Sequence, residues 1–136
     1  MRLLGVDFGG KRIGIAVAEF PAGLPSSRPA LSATGTLAKD AAALCDFARR
    51  EEATRVVLGL PLDSEGETRM SAVCRKLGSA LEALGMEVAY QDESLTSREA
   101  ERAMLAAGLK GAQVKRRVDG EAACRILERY LEKADG

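Results

Sequence analysis

Apolar and polar positions fall into blocks of two periods along this chain. Two apolar runs open it, Leu3-Leu4-Gly5-Val6-Asp7-Phe8 and Ile13-Gly14-Ile15-Ala16-Val17-Ala18, with Gly9-Gly10-Lys11-Arg12 between them. Glycine supplies the positive φ of a tight turn, so this pair predicts a β-hairpin. Pro21, Pro25 and Pro29 then mark an irregular connection, and a weaker strand is expected over Ala30–Leu37. The period changes to helical over Lys39–Glu52, with Ala41, Leu44, Cys45 and Ala48 on one face. The short β-branched run Arg55–Leu60, ended by Pro61, reads as a buried strand. Glu67–Leu84 holds the longest helical period, through Met70, Val73, Cys74, Leu77, Leu81 and Leu84, and Gly85 stops it. Met86–Gln91 is the next strand, and Thr96-Ser97-Arg98-Glu99 is a capping box that opens a further helix. A last helix over Val118–Lys133 places Ala122, Ala123, Ile126, Leu127, Tyr130 and Leu131 on one face.

This order, β-β-β-α-β-α-β-α-α, predicts an α/β fold with one mixed five-stranded sheet: three antiparallel strands, then two parallel ones, with helices on both faces. Ligand sites in such sheets form beyond the carboxyl ends of parallel strands. Those ends are Gly59-Leu60-Pro61-Leu62-Asp63 and Gln91-Asp92-Glu93-Ser94. No linker or repeat divides residues 1–136, which read as a single domain.

Asp7 does not fit the strand that contains it. Aspartate is depleted in strands, and an unpaired carboxylate is costly to bury. A bound cation is the simplest compensation. Two more carboxylate positions come into view: Asp92-Glu93 at a parallel strand end, and Asp119 at the start of the last helix on its sheet-facing side. Acids from a first strand, a strand end and a helix can converge on one or two divalent ions. The residues alone leave other readings open. Asp7 could serve an Asx turn, Asp92 or Glu93 could be ordinary strand-end polar residues, and Asp119 could be an N-cap.

Composition narrows the chemistry. The chain has no histidine, which removes Ser-His-Asp and Cys-His catalysis and every His-containing zinc site. A metal site would be built from carboxylate oxygens, which suit Mg²⁺ or Mn²⁺. Cys45, Cys74 and Cys124 form no Cys-x-x-Cys pair and read as small buried hydrophobes of a reducing cytoplasm. No signal-like segment or membrane-spanning apolar run appears. Net charge is zero, so an electrostatic case for nucleic acid must be local. One cluster exists, Lys110, Lys115, Arg116 and Arg117, in a stretch whose flanks Gly108 and Gly111 suggest a mobile loop. The spacing Gly9 to Gly14 is that of a phosphate-binding P-loop, but Ile15-Ala16 follows where Lys-Ser/Thr is required.

Four collinear motifs carry a family resemblance: Val6-Asp7-Phe8-Gly9-Gly10-Lys11-Arg12-Ile13-Gly14-Ile15-Ala16; Val57-Leu58-Gly59-Leu60-Pro61-Leu62; Gln91-Asp92-Glu93-Ser94-Leu95-Thr96-Ser97; and Val118-Asp119-Gly120-Glu121-Ala122-Ala123. Together they resemble the YqgF (RuvX) family across essentially the whole chain. The resemblance implies an RNase H-like nuclease domain. Members are named as nucleases of the 16S rRNA precursor in ribosome biogenesis or as Holliday-junction resolvases. It also implies Asp7, Glu93 and Asp119 as catalytic, metal-binding acids. Two positions depart from the pattern: Gly10 replaces a usual hydroxyl residue, and Ser94 replaces a usual arginine, for which Arg98 is the nearest substitute.

On this reading the partner is nucleic acid, an rRNA precursor or branched DNA. Lys11, Arg12, Arg98 and the Lys110–Arg117 cluster hold its backbone, largely without regard to sequence. Junction resolution would require a homodimer. The competing readings are a non-catalytic RNA-binding factor in ribosome assembly or transcription, and an actin-like phosphotransferase, for which the chain is one half too short.

Overall fold

The computed structural model describes residues 1–93 and 111–135, and for 111–119 and 134–135 only the backbone. Five strands, β1 (Arg2–Phe8), β2 (Arg12–Glu19), β3 (Ser26–Ser32), β4 (Ala53–Leu60) and β5 (Glu87–Asp92), form one sheet in the order β3-β2-β1-β4-β5. β2 runs antiparallel to both of its neighbours, β1 and β3, whereas β4 and β5 run parallel to β1. Helices α1 (Leu37–Arg50) and α2 (Arg69–Ala83) are the crossovers that such parallel pairs require, and α3 (Gly111–Asp135) follows.

Period-2 alternation in the strands divides the core in two. Leu4, Val6 and Phe8 of β1 pack with Val56, Leu58 and Leu60 of β4 against α1 and α2. Leu3, Ala16, Ala18 and Val57 face the other way, onto Ala123, Ile126, Leu127 and Leu131 of α3. Small residues let α3 approach closely. A Cβ on Gly5 would lie 2.6 Å from Leu127 Cγ and 3.0 Å from the Ala123 carbonyl oxygen. Asp7, an odd-numbered residue of β1, therefore points to the α3 side of the sheet.

Three expectations need correction. The third strand is Ser26–Ser32, not Ala30–Leu37. It contains Pro29, which an edge strand tolerates because its missing N–H need not serve a ladder, and the β2–β3 register shifts between Ile13 and Ile15 beside it. The basic stretch after Lys110 is no loop, since α3 already begins at Gly111. Ala112 to Arg117 includes Ala, Gln, Lys and Arg, all strong helix formers, and no proline. Asp119 consequently lies well inside α3 and cannot be its N-cap. The helix expected from Thr96, with Arg98, lies outside the described residues.

The remaining elements match their periodicity. Ala41, Leu44, Cys45 and Ala48 are buried in α1, and Cys74, Leu77 and Leu81 in α2, whereas Leu84 is exposed. Thr68 and Ser71 form a capping box at the start of α2, and Thr68 Oγ1 also donates to the Pro61 carbonyl at 2.6 Å, tying the helix to the end of β4. Among the described residues no helix is long and apolar enough to cross a membrane.

Gly5→Ala should destabilise the protein by about 1–3 kcal/mol through displacement of Leu127. A Cβ on Gly10 meets nothing within 4 Å, so Gly10→Ala should stay within about 0.5 kcal/mol of wild type. Urea unfolding of the two variants side by side checks both values.

Candidate active site

The carboxyl ends of β1, β4 and β5 lie side by side, and two sequence-predicted acids meet there. Asp7 is the penultimate residue of β1, opposite Gly14 of β2. Glu93 directly follows β5, and its N–H donates to the Leu60 carbonyl at 3.1 Å, which carries the β4–β5 pairing one residue further. The β1–β2 turn closes on its own backbone, Gly9 N–H to Arg12 carbonyl at 2.9 Å. Asp7 is half-buried and Glu93 only 8% exposed.

Gly59 makes room for this arrangement. It pairs with Gln91 across the β4–β5 ladder and lies one residue beyond the Val6–Leu58 pair. A Cβ there would stand 2.7 Å from Glu93 Oε2 and 2.5 Å from Ile126 Cδ1. The Glu93 carboxyl thus rests on bare backbone, enclosed by α3. Glycine inside the apolar run Val56-Val57-Leu58-Gly59-Leu60 was the sequence signal for this close approach.

The electrostatics are those of two acids in one small space. Burial, first, and then the negative charge of Asp7 and a hydrogen bond with its side chain push the Glu93 carboxyl up to about 9. Asp92 adds to this, while the Arg129 guanidinium opposes it. Arg129, which sequence reasoning passed over, stands one helical turn after Ile126 and donates from Nη1 to the Asp92 carbonyl at 3.4 Å. At neutral pH Glu93 therefore retains a proton when only protein surrounds it. Its Oε2 is buried and has no hydrogen-bond partner among the described residues. An acceptor left alone in the interior costs free energy unless something donates to it or coordinates it.

Cys74, fully buried in α2, is pushed up to about 12 by burial and by the charges of Glu93 and Asp7. It is an inert thiol, as its sequence context suggested. Cys45 is likewise buried and Cys124 half-buried, and no cysteine is paired.

The other candidates are placed as follows. Asp119 belongs to α3 by its backbone, four residues before Ala123, but its side chain is outside the described residues. Lys11 is exposed in the β1–β2 turn, and Arg12 is half-buried at the start of β2, both close in sequence to Asp7. Lys115, Arg116 and Arg117 lie on the first turns of α3, again with backbone alone described, and Arg98 and Lys110 fall outside the described residues. Among the described residues no three His, Cys, Asp or Glu side chains are grouped closely enough to hold a metal ion. The aromatics Phe8, Phe20, Phe47, Tyr90 and Tyr130 are buried or half-buried against the two cores.

The chain matches the model of the family described as RuvX, Holliday junction resolvase, over residues 1–133. A protein of Anaeromyxobacter dehalogenans is 43% identical across 98% of both chains, and one of Thermus thermophilus is 37% identical across 98% of both. Each carries the name "Putative pre-16S rRNA nuclease". The fold is that of RNase H-like resolvases. The fowlpox virus Holliday junction resolvase superposes with a TM-score of 0.60 at 13% identity, covering 98% of this chain and 99% of that one. Thermus thermophilus RuvC in complex with a Holliday junction substrate gives 0.58 at 12% identity, covering 100% and 96%.

The raised Glu93 carboxyl has a consequence for stability. Between the ordinary carboxylate range and about 9 the folded chain binds a proton at Glu93 that the unfolded chain releases. The Glu93 contribution is thus most favourable at acid pH and is lost as pH rises through that window. Thermal melts of the metal-free protein from pH 5 to pH 9 should show a falling Tm component that Glu93→Gln removes. A Tm difference between the two proteins that does not vary with pH would exclude a raised Glu93.

Proposed function

The chain belongs to the RuvX family, and on that premise we propose that it is a Mg²⁺- or Mn²⁺-dependent nuclease that trims the 5′ end of the 16S rRNA precursor. The observation that carries the reading is the Asp7–Glu93 pair, two carboxylates pressed together at the ends of β1 and β5, with one buried oxygen that has no donor among the described residues. Such a pair suits a hard divalent cation, because carboxylate oxygens are the ligands these ions take and a cation relieves the repulsion between them. Asp7, Glu93 and Asp119 are the residues that would hold it. A cation bound there supplies Lewis-acid chemistry at phosphorus, activating water and neutralising charge on the leaving oxygen.

The chain's own groups do the rest. Glu93 would hold a proton in the absence of a cation and would have to lose it to serve as a ligand, so cation binding would be favoured by rising pH. Gly59 and Ile126 fix where its carboxyl rests. Lys11 and Arg12 at the β1–β2 turn, with Arg98, Lys110, Lys115, Arg116 and Arg117, hold the polyanionic backbone. No histidine exists to serve as general base, which fits water activation by a cation. Precursor rRNA is preferred as substrate because relatives across nearly the full chain carry that name. The RuvX family description favours a second reading, cleavage of four-way DNA junctions. A non-catalytic RNA-binding factor would have no use for two acids forced together at a strand end.

Asp7→Asn and Asp119→Asn should each lower Mn²⁺-dependent cleavage of a precursor rRNA fragment at least about a hundredfold, the upper end of what even outer-shell partners of a metal cost. Circular dichroism should show both variants folded. Wild-type protein should cut the rRNA fragment and leave a synthetic four-way junction intact; junction cleavage would assign the second reading. Variants as active as wild type would place the cleavage at another site.

A further inference from the structure

A concavity lies on the opposite side of the sheet from the carboxylate pair. It is a cleft of about 250 Å³ where the β1–β2 turn meets the N-terminal ends of α1 and α2. Phe8, Leu37, Met70 and Val73 give it apolar walls, and Gly10 and Gly35 stand at its edge. A Cβ on either glycine would meet nothing within 4 Å, so the space above them is open. Phe8 is the residue after Asp7, and alternation along β1 sends the two side chains to opposite faces. The same two residues thus border the carboxylate pair and the cleft, and Lys11 and Arg12 lie in the turn between.

One polar group lines this apolar slot. Asp40, in the first turn of α1, is 1% exposed. Its Oδ1 accepts from the Thr34 N–H and the Thr34 hydroxyl, each at 2.9 Å. Its second oxygen accepts no hydrogen bond among the described residues. An apolar slot with a single convergent polar group is how small planar ligands are bound and oriented.

We propose that this cleft is a base-binding subsite, in which an unpaired guanine of the strand being cut lies between Phe8, Leu37 and Met70 with its N–H edge donating to Asp40. It rests on the nuclease reading of the Asp7–Glu93 site, and it extends that reading to the nucleotide next to the scissile phosphate. Single-stranded bases are recognised by such stacking and edge bonding. Guanine offers two adjacent N–H donors that can converge on the remaining Asp40 oxygen. Uracil offers one, flanked by carbonyls that the carboxylate repels. Lys11 and Arg12 would hold the backbone as it crosses the turn, with its phosphate on the Asp7 side and its base on the Phe8 side. The volume suits one base rather than a larger ligand.

The test uses the full chain without added metal, titrated with guanosine 5′-monophosphate and uridine 5′-monophosphate and followed by backbone amide NMR. Shifts should cluster at Gly10, Gly35, Leu37 and Asp40, and the guanosine nucleotide should bind on the order of tenfold more tightly. Asp40→Asn keeps an oxygen for Thr34 but replaces the free acceptor with a donor, so it should fold and lose that preference. Gly10→Leu should weaken both nucleotides alike. Absent or scattered shifts, equal affinities, or an Asp40→Asn protein that keeps the preference would overturn the proposal. Cleavage of RNA by a protein that fails this titration would sink the base subsite and leave the nuclease reading standing. Guanosine nucleotide binding by a protein that cleaves nothing would do the reverse.

Discussion

Two carboxylates that repel each other are held at the ends of β1 and β5, on either side of β4, and much of the surrounding sequence serves to keep them there. Asp7 is fixed by a strand paired on both sides, to β2 and to β4. Glu93 is fixed by its own N–H on Leu60, by the missing side chain at Gly59, and by Ile126 closing over that glycine. The cost of burying Glu93, and then of crowding it against Asp7, appears as a carboxyl pushed far above the usual carboxylate range. A stability-optimised chain would not keep such a pair, so its presence points to a ligand that reverses the sign of the interaction.

The fold makes that arrangement possible through a division of faces. The α1 and α2 side is packed with large aliphatic residues and carries the bulk of the core. The α3 side is built from small ones: Gly5, Ala16, Ala18, Gly59 and Ala123. A long helix can therefore lie close to the sheet, crossing it from Ser27 of β3, beneath Gly120, past Gly5 of β1 to Gly59 of β4, beneath Ile126. The proposed base subsite uses the other face of the same β1 terminus, so one strand end would orient both a phosphate and a base.

The sequence made the sheet, its strand order by class and both amphipathic crossovers legible, because their periods were clean and Gly or Pro bounded most of them. It misplaced β3, because Pro29 looked like a loop residue when an edge position accommodates it. It misread the Lys110–Arg117 stretch, because two glycines outweighed a run of good helix formers between Ala112 and Asp119. Asp7 was conspicuous as a charge in an apolar strand, and Glu93 as an acid at a parallel strand end. That they share one hydrogen bond was not legible, since residues 86 positions apart meet only through the β1–β4–β5 register. Gly59 and Arg129 escaped notice for the same reason: each matters through a neighbour distant in sequence. Gly59 alone had left a local sign, a glycine in the middle of a strand.

Calorimetry of Mn²⁺ binding near pH 7, repeated in buffers of different ionisation enthalpy, tests the central claim most directly. If a buried Glu93 proton stands where a cation would bind, wild-type protein should release about one proton per bound cation, and Glu93→Gln should release none. Binding of Mn²⁺ to the wild-type protein with no proton release, or with the same release in Glu93→Gln, would contradict the account.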